Sequence, residues 1–170
     1  MVEPLSLKDF NLSAADCAIV QIEGWDGMLA KFEASVSQAL GAPLPARVGE
    51  TVRHAGVLVV RVAPRRFWLV SEAGAKPPAL TADPELGYSV FLGEGRVRLR
   101  MDGMRLPEIL SKCIAVDWLS PAAARGRAWQ TAFHHLPVLL LRTAETACDL
   151  FVPRSFAKSL ADWIADSAAE

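Results

Sequence analysis

The sequence predicts an α+β fold with a largely antiparallel sheet, or sheets, and helices packed on one side. Three observations lead there. Short apolar or alternating runs recur at 17–22, 57–62, 67–71, 88–92, 96–101, 128–133, 137–142 and 148–152, the signature of strands. Helical spacing of apolar residues marks stretches near 26–40, 105–113 and 155–165. Strands and helices segregate rather than alternate strictly, which favours antiparallel pairing over βαβ units. At 170 residues and 52% apolar composition the chain can bury a sizeable core without staples. It reads as a single domain, 1–170, with a possible division into subdomains of about 13–86 and 87–166.

Each element has its local reasons. CAIVQI, 17–22, predicts a first strand that Gly24 ends. In 26–40, Leu29, Phe32, Val36 and Leu40 form one helical stripe, Asp26 is placed to cap it, and Gly41 stops it. Val57 to Val62 predicts a strand buried on both faces, and Pro64-Arg65 turns it into a second strand at 67–71. Residues 73–87 hold three prolines and two glycines and predict a long surface connection. Gly93-Glu94-Gly95 lies between the runs 88–92 and 96–101, a hairpin signal. A helix from Arg105 to Cys113 follows, with Leu106, Ile109 and Leu110 inward and Pro107 in its first turn. A Pro- and Gly-bearing loop at 119–127 leads to strands at 128–133, 137–142 and 148–152. Pro153 ends the last strand and Ser155 is placed to cap the closing helix. That helix carries Phe156, Leu160, Trp163 and Ile164 on one stripe, which either covers its own sheet or docks on another subunit.

Composition excludes several classes of function. A net charge of −1 carries no basic excess for nucleic acid. Cys17, Cys113 and Cys148 are widely spaced, form no CxxC and are odd in number, which fits a reducing, cytoplasmic location. No signal-peptide pattern opens the chain, and Val138–Leu141 is too short an aliphatic run to cross a membrane.

A search for chemistry yields no catalytic, cofactor-binding or metal-ligating residue. His134 and His135 are adjacent in an expected strand, where neighbours point to opposite faces and cannot share a metal; His54 stands apart. Ser71, Ser120 and Ser155 lack a Gly-x-Ser-x-Gly context. Cys113 lies near a helix C-terminus, where the helix dipole does not activate a thiol. The 93–95 turn is too short for a phosphate loop, and no dinucleotide fingerprint occurs. One constellation stands out. Arg96, Arg98 and Arg100 alternate with Val97, Leu99 and Met101, placing three guanidinium groups on one strand face. Three readings fit it: a solvated face with acids on the neighbouring strand, a subunit interface with an acidic partner, and a small-anion site.

The second half carries a resemblance. GEGRVRLRMDGMRLPEILSKCIAVDWLSP, 93–121, resembles the strand–Gly–helix–Asp segment of folate-binding domains in the glycine-cleavage T-protein (aminomethyltransferase) superfamily. RAWQTAFHHLPVLLLR, 127–142, then CDLFVPRSFAKSLADWI, together with RFWLVSE at 66–72, resembles the gamma subunit of heterotetrameric sarcosine oxidase. The resemblance spans roughly residues 57–165. It implies a folate-binding-domain-like fold and a non-catalytic structural subunit with alpha, beta and delta partners. It implies a complex that demethylates sarcosine to glycine, with formaldehyde or methylene-tetrahydrofolate and hydrogen peroxide as further products. It places FAD, FMN, NAD, zinc and tetrahydrofolate on the other subunits and none on this chain. N-methylglutamate dehydrogenase uses a similar small subunit, so the amine stays open. Related iron–sulfur assembly proteins carry a Lys-Gly-Cys motif, whereas here Lys112 is followed directly by Cys113. The alternative is a stand-alone folate-binding protein or one-carbon transferase.

Overall fold

A computed structural model of the chain describes residues 2–71, 80, 82–120 and 123–170. Eleven strands and three α-helices appear in the described residues. Two compact units contain them. One comprises Met1–Asp16 with Gly95–Glu170, the other Cys17–Glu94. The division therefore falls after Glu94 rather than near residue 86, and the N-terminal strands belong with the C-terminal half.

The unit Cys17–Glu94 is built on a five-stranded sheet ordered β4-β5-β6-β3-β7. Its strands are β3 (Ala18–Gly24), β4 (Thr51–His54), β5 (Val57–Ala63), β6 (Arg66–Ser71) and β7 (Gly87–Phe91), all paired antiparallel. Helix α1 (Leu29–Leu40) lays Phe32 and Val36 on Val20, Ile22, Val59, Phe67 and Leu69 of one sheet face. β5 is buried on both faces, as its unbroken apolar run predicts. Arg61 is tolerated there because its guanidinium donates to the Pro45 and Ala46 carbonyls at 3.1 and 3.0 Å. It also pairs with Glu33 of α1 at 3.0 Å. Asp26 does not cap α1. The helix starts after Met28 without a side-chain cap, and Asp26 instead pairs with Arg65 at 2.9 Å. Gly41 ends the helix in the left-handed region at φ 72, where an L side chain would be strained. Most of the expected surface connection lies outside the described residues, but Leu80, Ala82 and Leu86 pack on the core.

The other unit holds a six-stranded antiparallel sheet ordered β1-β2-β8-β11-β10-β9. Its strands are β1 (Leu5–Leu7), β2 (Phe10–Ala15), β8 (Arg96–Asp102), β9 (Ala128–Phe133), β10 (Leu136–Ala144) and β11 (Ala147–Pro153). Helices α2 (Leu106–Ser111) and α3 (Ala157–Ala169) cover one face, against Phe10, Leu12, Leu99, Met101, Phe133, Leu140 and Leu150. The 93–95 stretch is a single 3-10 turn and not a hairpin loop. β7 pairs with β3 in one sheet, while β8 pairs with β2 and β11 in the other. A local Gly-x-Gly signal fixes a turn, and the choice of strand partner is made by long-range burial.

The closing junction also differs from its local reading. Arg154–Phe156 form a 3-10 turn before α3, and Ser155 makes no cap. Phe156 is exposed, and the inward face is Ala157, Leu160, Ala161, Ile164 and Ala168. The 3-10 turn rotates Phe156 off the stripe that α-helical spacing assigns it, because it advances about 120° per residue instead of 100°. Trp163 is half-buried at the edge of the same core.

Candidate functional site

The arginine strand β8 has the period-two geometry its sequence predicts. Val97, Leu99 and Met101 face the helix-covered core. Arg98 and Arg100 face the other way, opposite Phe151 and Asp149 of β11 in the antiparallel register. The solvated reading fails at Arg98, which is only 3% exposed. Its Nη2 donates a short charge-assisted bond to Oδ2 of Asp149, itself buried, and its guanidinium carbon lies 5.7 Å from the Phe151 ring centre. Arg100 stands with its Nε 3.8 Å from the other Asp149 oxygen and remains half-exposed. Arg96 is half-buried, and burial holds its guanidinium below the usual arginine value. One buried carboxylate thus gathers two of the three arginines, and the third lies at the end of the strand.

A family model described as the sarcosine oxidase, gamma subunit family matches residues 25–170. This chain belongs to the sarcosine oxidase gamma subunit family. A chain of the heterotetrameric sarcosine oxidase from Corynebacterium sp. U-96, solved in complex with pyrrole 2-carboxylate, is similar at 25% identity. The match has a TM-score of 0.83 and covers 98% of this chain and 87% of that one. The glycine cleavage system aminomethyltransferase T from Bartonella henselae shares the fold, at 16% identity and a TM-score of 0.59. That match covers 92% of this chain and 45% of the aminomethyltransferase. A search of curated proteins gives no match.

In this gamma-family chain several groups that could carry chemistry make contacts within the fold. His134 and His135 do not lie in a strand. They form the two-residue turn between β9 and β10, with His134 at φ 52. Both rings meet Trp163 edge-on, at 4.9 and 6.4 Å between centres, and Trp163 stacks on Phe133 at 6.3 Å. Cys148 is buried, and desolvation pushes its thiol far above the usual range, so it does not form a thiolate at neutral pH. Cys113 is buried, with its Sγ 3.3 Å from the Ser167 hydroxyl. Among the described residues no group of three or more His, Cys, Asp or Glu is placed to hold a metal ion. No helix among them is long and apolar enough to cross a membrane.

Three polar constellations were missed in the sequence. Asp149 is the anchor of the arginine strand, and its signal was present: a lone acid inside the apolar run CDLFV. Arg142 holds the loop after α2. It donates to the Trp118 and Ala123 carbonyls at 2.9 and 2.6 Å and to the Glu145 carbonyl at 3.0 Å, and its guanidinium lies 5.5 Å from the Trp118 ring centre. Glu23 of β3 accepts from Arg66 of β6 at 2.6 Å and from the Tyr88 hydroxyl of β7 at 2.7 Å, joining three adjacent strands. Burial alone would raise the Glu23 pKa. The two donors and the nearby charge outweigh that and hold it below the usual carboxylate value. No sequence pattern announces either cluster, because their members are brought together by strand order.

Proposed function

We propose that this chain is the structural, non-catalytic gamma-type subunit of a heterotetrameric sarcosine oxidase, with alpha, beta and delta subunits as its partners. The observation that carries the reading is the likeness to a chain of such an oxidase along almost the whole length, joined to the family match over residues 25–170. The assembly oxidatively demethylates sarcosine to glycine, giving formaldehyde or methylene-tetrahydrofolate and hydrogen peroxide. FAD, FMN, NAD, zinc and tetrahydrofolate are carried by the other subunits, and this chain contributes folded surface.

The arginine strand divides between two tasks in this reading. Arg98 belongs to the fold, since its charge is neutralised inside by Asp149. Arg100 keeps a half-exposed guanidinium and, with Arg96, supplies the cationic part of a subunit contact. Exposed pairs contribute only about 0–1 kcal/mol to folding, whereas a desolvated interfacial charge costs several times that when its partner is lost.

The test compares the purified chain with the co-expressed assembly. The chain alone is expected to be colourless and to leave sarcosine unchanged, while the assembly contains it stoichiometrically and turns sarcosine over. Stoichiometric flavin absorbance, or turnover by the chain alone, overturns the structural role. Saturable tetrahydrofolate binding by the isolated chain favours a folate-binding protein instead.

A further inference from the structure

The six-stranded sheet ends in a strand that lacks the usual protection of an edge. β9, AWQTAF, carries no charge, proline or glycine over six residues. Its register with β10 runs from Leu136↔Phe133 to Leu141↔Ala128 without a shift, and the irregularity lies just before it, where Gly126 (φ 80) and Arg127 both bond the Arg142 backbone. β10–β11 and β5–β6 carry a shift within the strands. The other edges are shorter: β1 has three residues, β4 has four, including Arg53 and His54, and β7 has five, opening on Gly87. Exposed edges of this length are normally blunted by lysine, proline or a bulge, because their free N–H and C=O groups recruit another strand.

The direction of those groups follows from the hairpin. Phe133 and Leu136 flank the two-residue turn and make a hydrogen-bonded pair, so Thr131 and Trp129 also bond to β10. Arg142 donates to the Arg127 carbonyl at 3.0 Å, which continues the same phase. Ala128, Gln130 and Ala132 therefore point their backbone groups away from the sheet. They have no backbone partner on that side among the described residues. Gln130 and Ala132 are exposed.

We propose that the β9 edge receives an extended strand from another subunit of the oxidase, which lengthens the six-stranded sheet by one. This rests on the subunit reading above. The occupant is an apolar strand with carboxylates at the end that meets Arg125 and Arg127. The segment 124–136 has no acidic residue, carries Arg125 and Arg127 at one end and ends in His134 and His135 at the other. A second copy fits poorly, since its own β9 and flanks carry no carboxylate to meet Arg125 and Arg127. Half-buried Trp129 and Thr131 offer the apolar shelf on which alternate side chains of the incoming strand pack.

Hydrogen exchange on the intact chain and on the assembled complex tests this. In the chain alone, the Gln130 and Ala132 amides exchange fast while those of Trp129, Thr131 and Phe133 are protected. In the complex the first two slow by about a hundredfold or more. A Gln130→Pro chain, which loses only an outward N–H, keeps its melting temperature and assembles at least about tenfold more weakly. A complex that forms with Gln130 and Ala132 exchanging as before overturns the strand-addition proposal and leaves the subunit reading standing. A wild-type chain that fails to assemble overturns both. Protection that arises in the chain alone at high concentration identifies a second copy and overturns the stated occupant.

Discussion

Arg98 carries a full charge to a site that is almost closed to water, and Asp149 is what permits it. Removing Arg98 breaks the buried pair and leaves Asp149 only Arg100 at 3.8 Å, which costs about 3–5 kcal/mol. Arg98→Ala is therefore expected to lower the melting temperature by roughly 10 °C, at about 2–4 °C per kcal/mol for a chain of this size. Arg98→Met with Asp149→Leu should recover much of the loss, and Arg100→Ala should cost under about 1 kcal/mol because that guanidinium is half-exposed. Thermal unfolding of the three variants separates a fold residue from a contact residue within one strand. Glu23 gives a second residue-scale expectation. Its carboxylate is held below the usual value, so the unfolded chain binds its proton first. The contribution is fully present above the unfolded value of about 4.3 and is lost as pH falls through the lower folded value. Glu23→Gln should flatten the acid limb of a plot of melting temperature against pH below about pH 4.

Helix α3 shows how an element is defined by what it buries. Leu160 and Ile164 are fully buried against the sheet, whereas Phe156 is 42% exposed after the 3-10 turn. Leu160→Ala should cost about 2–5 kcal/mol, and Phe156→Ala should fall within roughly 0.5 kcal/mol of the parent. Trp163 lies between these limits. Its loss removes the stack on Phe133 and the edges of both histidines, but part of the ring is already wet, so about 2–3 kcal/mol is expected. Urea unfolding of the three variants gives the ranking Leu160 above Trp163 above Phe156. A further element-scale expectation concerns the start of α2. Gly103 sits at φ 137, and a Cβ there would run into the Asp9 backbone. The Asp9 carbonyl accepts from Arg105 N–H at 3.2 Å, so this contact ties the β1–β2 turn to the helix. Gly103→Ala should destabilise by more than about 1 kcal/mol in the same urea assay.

Three thiols report on the whole molecule. Cys113 and Cys148 are buried and Cys17 is half-buried. For Cys148, burial also disfavours the thiolate that a disulfide reagent needs. In the native chain a thiol reagent should label Cys17 first, and Cys148 only as fast as its unit opens. Labelling of Cys148 at the rate of a free thiol in a chain with native circular dichroism would contradict the burial described. Cysteine spacing in the sequence does not show this burial, because burial depends on which strands surround β11.

Much of this protein follows from its sequence alone. Periodicity set the positions of β5, β6, β9, β10, β11 and α2 to within a residue or two, since side-chain alternation and helical spacing are local properties of the chain. Gly41 fixed its helix end for an equally local reason, the left-handed conformation that glycine adopts without strain. The order of several short motifs, none sufficient singly, pointed to the gamma subunit family. Tertiary structure alone decided that β7 and β8 belong to different sheets, that residues 1–16 join the C-terminal half, and that Asp149 makes Arg98 an interior residue. Each depends on a partner far away in sequence, chosen because it buries apolar surface and neutralises charge together. A strand carries its own pattern of faces, but not the identity of the strand beside it.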